Sequence, residues 1–206
     1  MSLHPPDLVA GESAALAART AARAAAEGLA DVSYALIDAP VGRLVAVATP
    51  RGLVRLAYEL ENGGVDSVLD IVAARLSPRI VEAPAQLDGV RRELDEYFDG
   101  RRREFAVKLD WSLVGSGFAR RVLEAAVAIP FGSTRTYRDV ADAAGSPRGF
   151  RAAGNALGSN PIPIVVPCHR VLASSGGLGG YTGGLDRKRL LLGIEGAGVG
   201  RQLSLS

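Results

Sequence analysis

The chain has 206 residues, 48% of them hydrophobic and 22% charged, with a net charge of +2; these values suit one or two globular domains and exclude a small stapled scaffold or a disordered chain. Its single cysteine cannot form an internal disulfide, no apolar run approaches the ~18 residues that suggest a bilayer span, and no basic-then-apolar leader opens the sequence, so a soluble cytoplasmic protein is expected. The charge is segregated, with 13 Lys+Arg against 17 Asp+Glu in residues 1–111 and 11 against 5 in residues 112–206, which fits a C-terminal half that faces a polyanion.

Residues 1–31 read as an Ala-rich extension whose stretch 11–30 is a strong helix former with little bulky apolar face. Val32–Asp38, Leu44–Thr49 and Leu53–Tyr58 are short β-prone runs separated by Pro- and Gly-containing turns, the pattern of an antiparallel meander. Leu69, Val72 and Leu76 recur at helical spacing, as do Leu87, Val90, Leu94 and Tyr97. A small α/β domain over 32–110 follows from these elements. The run Arg101–Arg103 comes just after Asp99-Gly100 at an expected helix end and reads as a solvated turn.

The texture changes near 110–116, and a second domain is expected over 115–197, with a tail at 198–206. Phe118, Val122, Ala125, Ala126 and Ile129 mark one amphipathic helix, stopped by Pro130 and Gly132. Thr136-Tyr137-Arg138-Asp139 has the capping-box form for a second helix through Ala144, and Ser146-Pro147 supplies a cap and first-turn proline for a third. Helix, glycine turn and capped helix make a helix-turn-helix grammar. The third helix carries Arg151 amid Ala152, Ala153, Gly154 and Ala156. That surface is too smooth to read several base edges, but it suits close approach to a narrow groove with one side chain as a wedge; a close helix–helix contact would produce the same composition.

The segment Asn160-Pro161-Ile162-Pro163-Ile164-Val165-Val166-Pro167-Cys168-His169-Arg170-Val171 reads as a buried strand that delivers the only Cys beside one of two His. A thiol of ordinary pKa ~8.5 is only about 3% ionised at neutral pH, so a nucleophilic Cys168 needs a partner. His169 can take the proton directly or through water, and a buried carboxylate would orient the imidazole. Five acids lie in the C-terminal half, and Glu195, at the end of a helix where its charge opposes the dipole, is the best orienter by elimination; Asp186 reads as that helix's N-cap. A Cys/His/Glu set also serves thiol hydrolases, so the chemistry leaves the substrate open.

Pro167-Cys168-His169-Arg170-Val171, with Asn160-Pro161-Ile162-Pro163 before it and Gly179-Gly180-Tyr181-Thr182-Gly183-Gly184-Leu185 and Glu195-Gly196 after it, resembles the O6-alkylguanine-DNA alkyltransferases, the methylated-DNA-protein-cysteine methyltransferases. The resemblance is dense over about 115–197, loose over 32–110 and absent over 1–31. It implies a ribonuclease H-like first domain and a suicide reaction in which Cys168 takes the alkyl group from O6-alkylguanine in duplex DNA. It further implies that His169 is the base, that Glu195 holds His169, and that Asn160 ties the turn near the site to the helix-turn-helix. Arg151 would fill the gap left by a flipped nucleotide, and Tyr137 would crowd its phosphate and help protonate the leaving base. Thr136, Arg138, Ala152 and Gly154 would face DNA, and Tyr181, Thr182, Gly183, Val171, Pro163 and Leu157 would form the pocket. Flipping fits the physics, because an alkyl group on a stacked base is out of reach.

Thr182 stands where many members have Ser, a change its backbone amide should ignore. With His4 as the only other histidine, neither a structural metal nor a fused Cys-rich sensor is expected, and no cofactor; the chain reads as a stand-alone monomer. An alkyltransferase-like protein that grips lesions without transfer is the alternative, disfavoured by the presence of Cys168. A regulator using the helix-turn-helix alone is disfavoured by the smooth third helix.

Overall fold

A computed structural model describes Leu16, Arg19, Thr20, Arg23 and residues 27–197; the body of the expected N-terminal helix and the tail at 198–206 lie outside the described residues. The meander forms as expected. Strands β1 (Val32–Ile37), β2 (Leu44–Thr49) and β3 (Gly52–Tyr58) pair antiparallel, and a short β4 (Ile80–Glu82) joins β1 in parallel, giving the order β3-β2-β1-β4. Alternation along β1 and β2, and along β3 with a register shift opposite Val47 and Ala48, divides the sheet's side chains between two cores. Val45, Val47, Val54 and Ala57 pack with Val68 and Val72 of α1 (Gly64–Arg75). Leu44, Ala46, Leu56 and Tyr58 face the other way, with Leu87, Val90, Leu94 and Tyr97 on or next to α2 (Asp88–Phe98), and this core runs on without a break into the second lobe.

The chain reaches that lobe along β3. The amide of Leu53 donates to the carbonyl of Lys108, and the amide of Asp110 donates back to Leu53. The backbones come so close that a Cβ on Gly52 would lie 2.3 Å from the Lys108 oxygen, and Gly52 has φ +142°, so only glycine fits. The Arg101–Arg103 run follows α2, where Arg102 pairs with Glu93 and Glu96 and Arg101 with Asp99.

The second lobe contains α3 (Phe118–Val127), β5 (Arg135–Thr136), α4 (Tyr137–Ala143), α5 (Phe150–Gly158), β6 (Val171–Leu172) and α6 (Leu185–Ile194). Thr136 and Asp139 form the expected reciprocal capping box at the start of α4. Three local expectations are corrected. Ser146-Pro147-Arg148-Gly149 is a turn closed by the Gly149 amide on the Ser146 carbonyl, with Pro147 second and Gly149 last, so α5 begins at Phe150 instead of at the proline. Asp186 lies inside the first turn of α6, whose N-cap is Gly184. The segment 161–167 is a buried turn, because prolines at 161, 163 and 167 remove the amides that a central strand needs. Within it the amide of Val166 donates to Ile162, and Ile164 sits at φ +74°, a strained geometry for a β-branched side chain.

Candidate active site

Cys168 opens a tight turn over Cys168–Arg170, directly after Pro167. Its position depends on Asn160: the side-chain amide donates to the Val166 carbonyl at 2.9 Å and to the Cys168 sulfur at 3.1 Å, while its oxygen accepts from the Ile162 amide. Cys168 is 5% exposed and stands in the wall of a cavity of about 270 Å³ shared with Tyr137, Gly154, Leu157, Gly158, Gly180, Tyr181 and Thr182. That volume is near the lower end of the ~300–1,000 Å³ of ligand pockets.

His169 is fully buried, and its Nε2 lies 2.8 Å from Oε1 of Glu195. Glu195 caps the C-terminus of α6 and also accepts from Arg170 Nε at 2.8 Å, Arg170 Nη2 at 3.0 Å, the Tyr97 hydroxyl at 2.8 Å and the Gly132 amide at 3.3 Å. Burial pushes its pKa up, but the hydrogen bonds from His169 and Arg170 outweigh that and take it down to about 2. An ionised carboxylate only accepts, so Nε2 of His169 carries the proton and Nδ1 presents a lone pair. Nδ1 is buried with no hydrogen-bond partner among the described residues. Burial holds the imidazole below its ordinary pKa against the pull of Glu195, which keeps it neutral and basic at Nδ1.

Burial also pushes the Cys168 thiol up to about 11, against the opposing hydrogen bond from Asn160 and the charge of Lys188. The resting sulfur is therefore a thiol at neutral pH, and its ionisation belongs to the reaction. Lys188, wholly buried in the first turn of α6, donates to the carbonyls of Val171 at 2.6 Å, Leu178 and Gly180; burial lowers it to about 8, opposed by the neighbouring Cys168. These bonds fix the loop that carries Tyr181 and Thr182. The Thr182 hydroxyl ties the same loop to the end of α5, donating to Gly158 at 2.7 Å.

Of the expected pocket residues, Tyr181, Thr182 and Leu157 line the cavity. Three do not. Val171 is sealed in β6, Pro163 is buried in the turn before the cysteine, and Gly183 is buried against the rings of Tyr58 and Tyr181. On the helix-turn-helix face, Arg138, Arg151 and Ala152 are exposed, and Thr136, Tyr137 and Gly154 are half-buried. Ala153 and Ala156 face inward, so α5 uses its small residues both ways: one side packs against α3 and α4, and the other stays smooth. The Tyr137 hydroxyl points over the cavity loop toward the Gly180 carbonyl at 3.4 Å. A second hollow of about 300 Å³, lined by Tyr137, Arg138, Phe150 and Gly154 among others, lies along the same face.

The sequence reading missed Tyr97, Arg170 and Lys188. A lysine in the first turn of a helix opposes the dipole and was a readable sign of another duty. Tyr97 carried no such sign, because its apolar spacing on α2 accounts for it fully. Among the described residues no helix is long and apolar enough to cross a membrane, and no group of three or more His, Cys, Asp or Glu could hold a metal ion.

Residues 117–197 match the family described as "6-O-methylguanine DNA methyltransferase, DNA binding domain", and residues 32–111 the one described as "6-O-methylguanine DNA methyltransferase, ribonuclease-like domain". A methylated-DNA--protein-cysteine methyltransferase of Mycolicibacterium paratuberculosis is 41% identical over 169 residues, covering 80% of this chain and 92% of that protein. The crystal structure of Mycobacterium tuberculosis OGT in complex with DNA superposes with a TM-score of 0.69 at 40% identity, over 80% of this chain and 93% of the other. The O6-methylguanine-DNA methyltransferase of Pyrococcus kodakaraensis superposes with a TM-score of 0.58 at 26% identity, over 80% of this chain and 99% of the other.

Proposed function

Because the chain belongs to the 6-O-methylguanine DNA methyltransferase family, we propose that it repairs DNA directly, moving the alkyl group of O6-alkylguanine onto Cys168 once per molecule. Its activity is that of a methylated-DNA-protein-cysteine S-methyltransferase. The observation that carries this reading is a cysteine in a cavity wall with a neutral imidazole and an ionised carboxylate behind it.

The S–C bond forms as the O6–C bond breaks. The thiol proton passes through water to Nδ1 of His169, and Glu195 stabilises the imidazolium that results. Asn160 stabilises the developing thiolate by its 3.1 Å hydrogen bond. The departing guanine takes a proton from Tyr137, whose hydroxyl burial keeps protonated, and the imidazolium passes its own through water to the Tyr137 phenolate. Guanine and S-alkylcysteine are the products, and the protein is spent.

The duplex lies against α4 and α5. Arg151 enters the space of the extruded nucleotide, Ala152 and Gly154 let the helix backbone approach the minor groove, and Thr136 and Arg138 meet phosphates. Tyr181, Thr182 and Leu157 enclose the flipped base, and the backbone amides of Tyr181 and Thr182 face O6. The boundaries 32–110 and 115–197 serve as the working domains, and the single free thiol suits a reducing cytoplasm. The test is a duplex with one O6-methylguanine: the protein should restore guanine mole for mole, whereas Cys168→Ser should bind the duplex and leave the lesion. Repeated turnover, or repair by Cys168→Ser, would refute the reading.

A further inference from the structure

Tyr58 ends β3 in the first lobe and is 1% exposed. Its hydroxyl lies 2.7 Å from that of Tyr181, and the two rings meet edge to face with centroids 6.3 Å apart. Tyr181 belongs to the cavity wall beside Cys168 and stands perpendicular to the His169 imidazole at 6.5 Å. The cavity wall is thus fixed by a side chain from the other lobe.

Tyr58 is itself clamped. The guanidinium of Arg187 lies 4.7 Å over its ring centroid and donates to the carbonyls of Val41 and Gly183, the latter at 2.8 Å, and to Glu61. A Cβ on Gly183 would come within 2.4 Å of the Tyr58 ring and 2.9 Å of the Tyr181 ring. The pocket loop therefore closes over Tyr58 only with glycine at 183. A ring held by a stacked cation, a tight loop and a hydroxyl partner has little freedom, and it passes that restriction on to Tyr181.

We propose that Tyr58 is a specificity-determining positioning residue: by holding the Tyr181 hydroxyl it fixes how far that ring leans over Cys168, and so how large an alkyl group the site accepts. The inference rests on the transfer reading given above. Without the Tyr58 hydroxyl, the Tyr181 hydroxyl would be buried with no partner. Losing either hydroxyl removes the bond that anchors the Tyr181 ring, so the ring tilts away from the sulfur and the space above it widens.

The test compares single-turnover transfer to Cys168 from one duplex sequence carrying either O6-methylguanine or O6-propylguanine, so that DNA binding and flipping cancel in the ratio. Tyr58→Phe should raise the propyl-to-methyl rate ratio about fivefold, the scale of one neutral hydrogen bond. Tyr181→Phe should raise it similarly, and the double variant should rise no further than either single change. A ratio left at the wild-type value, or rises that multiply in the double variant, would overturn the role of the hydroxyl pair while leaving the transfer reading intact. Failure of the wild-type protein to accept either group would overturn both.

Discussion

The side-chain nitrogen of Asn160 donates to the sulfur of Cys168 across 3.1 Å and to the Val166 carbonyl, while its oxygen accepts from the Ile162 amide, so the side chain holds both ends of the turn that carries the cysteine. One amide therefore holds the nucleophile in place and supplies a dipole toward the charge it will develop.

Asn160→Ala removes both services. It strands the Ile162 amide in the interior, at ~1–3 kcal/mol for a buried group left unpaired, and leaves the Val166 carbonyl with only its bond from the Cys168 amide. The expected result is a measurable loss in urea unfolding and a transfer rate down at least ~10-fold, since one hydrogen bond to a charged group is worth ~1.5–3 kcal/mol. A variant of native stability and native rate would show that the contact is incidental.

Glu195→Gln keeps the shape and deletes the charge. Arg170, 5% exposed, would remain as a buried cation with no counter-charge, and breaking such a pair costs ~3–5 kcal/mol. The protein should unfold at markedly lower denaturant. Because Gln can present an amide as readily as a carbonyl to Nε2, the His169 tautomer is no longer fixed, and transfer should slow by more than the stability loss explains. Unchanged unfolding would contradict the ion-pair description.

The pH dependence of Cys168 follows from its burial. A thiol raised to about 11 gains thiolate roughly tenfold for each pH unit below that value. Modification by a small neutral alkylating reagent should therefore keep accelerating through pH 9 and 10. A plateau near the ordinary thiol pKa of ~8.5 would mean that the site ionises the cysteine at rest.

Arg151 tests the flipping step apart from the displacement. It is exposed on α5, away from the proton relay. Arg151→Ala should slow repair of the duplex by ~10-fold or more, the few kcal/mol of flipping cost being no longer offset, and should barely alter reaction with free O6-alkylguanine. Equal losses on both substrates would argue against a wedge.

The fold was legible where pattern and burial agree. The period-2 runs of β1 and β2 divide between two cores, and the Thr136–Asp139 box starts α4 where the sequence places it. Residues 161–167 misled because β-branched, apolar composition reports burial and not extension; the three prolines carried the contrary signal. In the site, Cys168, His169 and Glu195 were readable from scarcity and position, since few residues of their kind were available. Tyr97, Tyr58 and Arg170 were not. Their roles arise from contacts 98, 123 and 25 positions away in sequence, and nothing local distinguishes a core tyrosine from one whose hydroxyl meets an active-site residue.

The most direct measurement is peptide mass mapping of the protein after exposure to an excess of duplex carrying O6-methylguanine. A single methyl group is predicted, confined to the peptide holding Cys168 and saturating at one per molecule. A methyl group on any other residue, or an unmodified Cys168 alongside repaired DNA, would contradict the account.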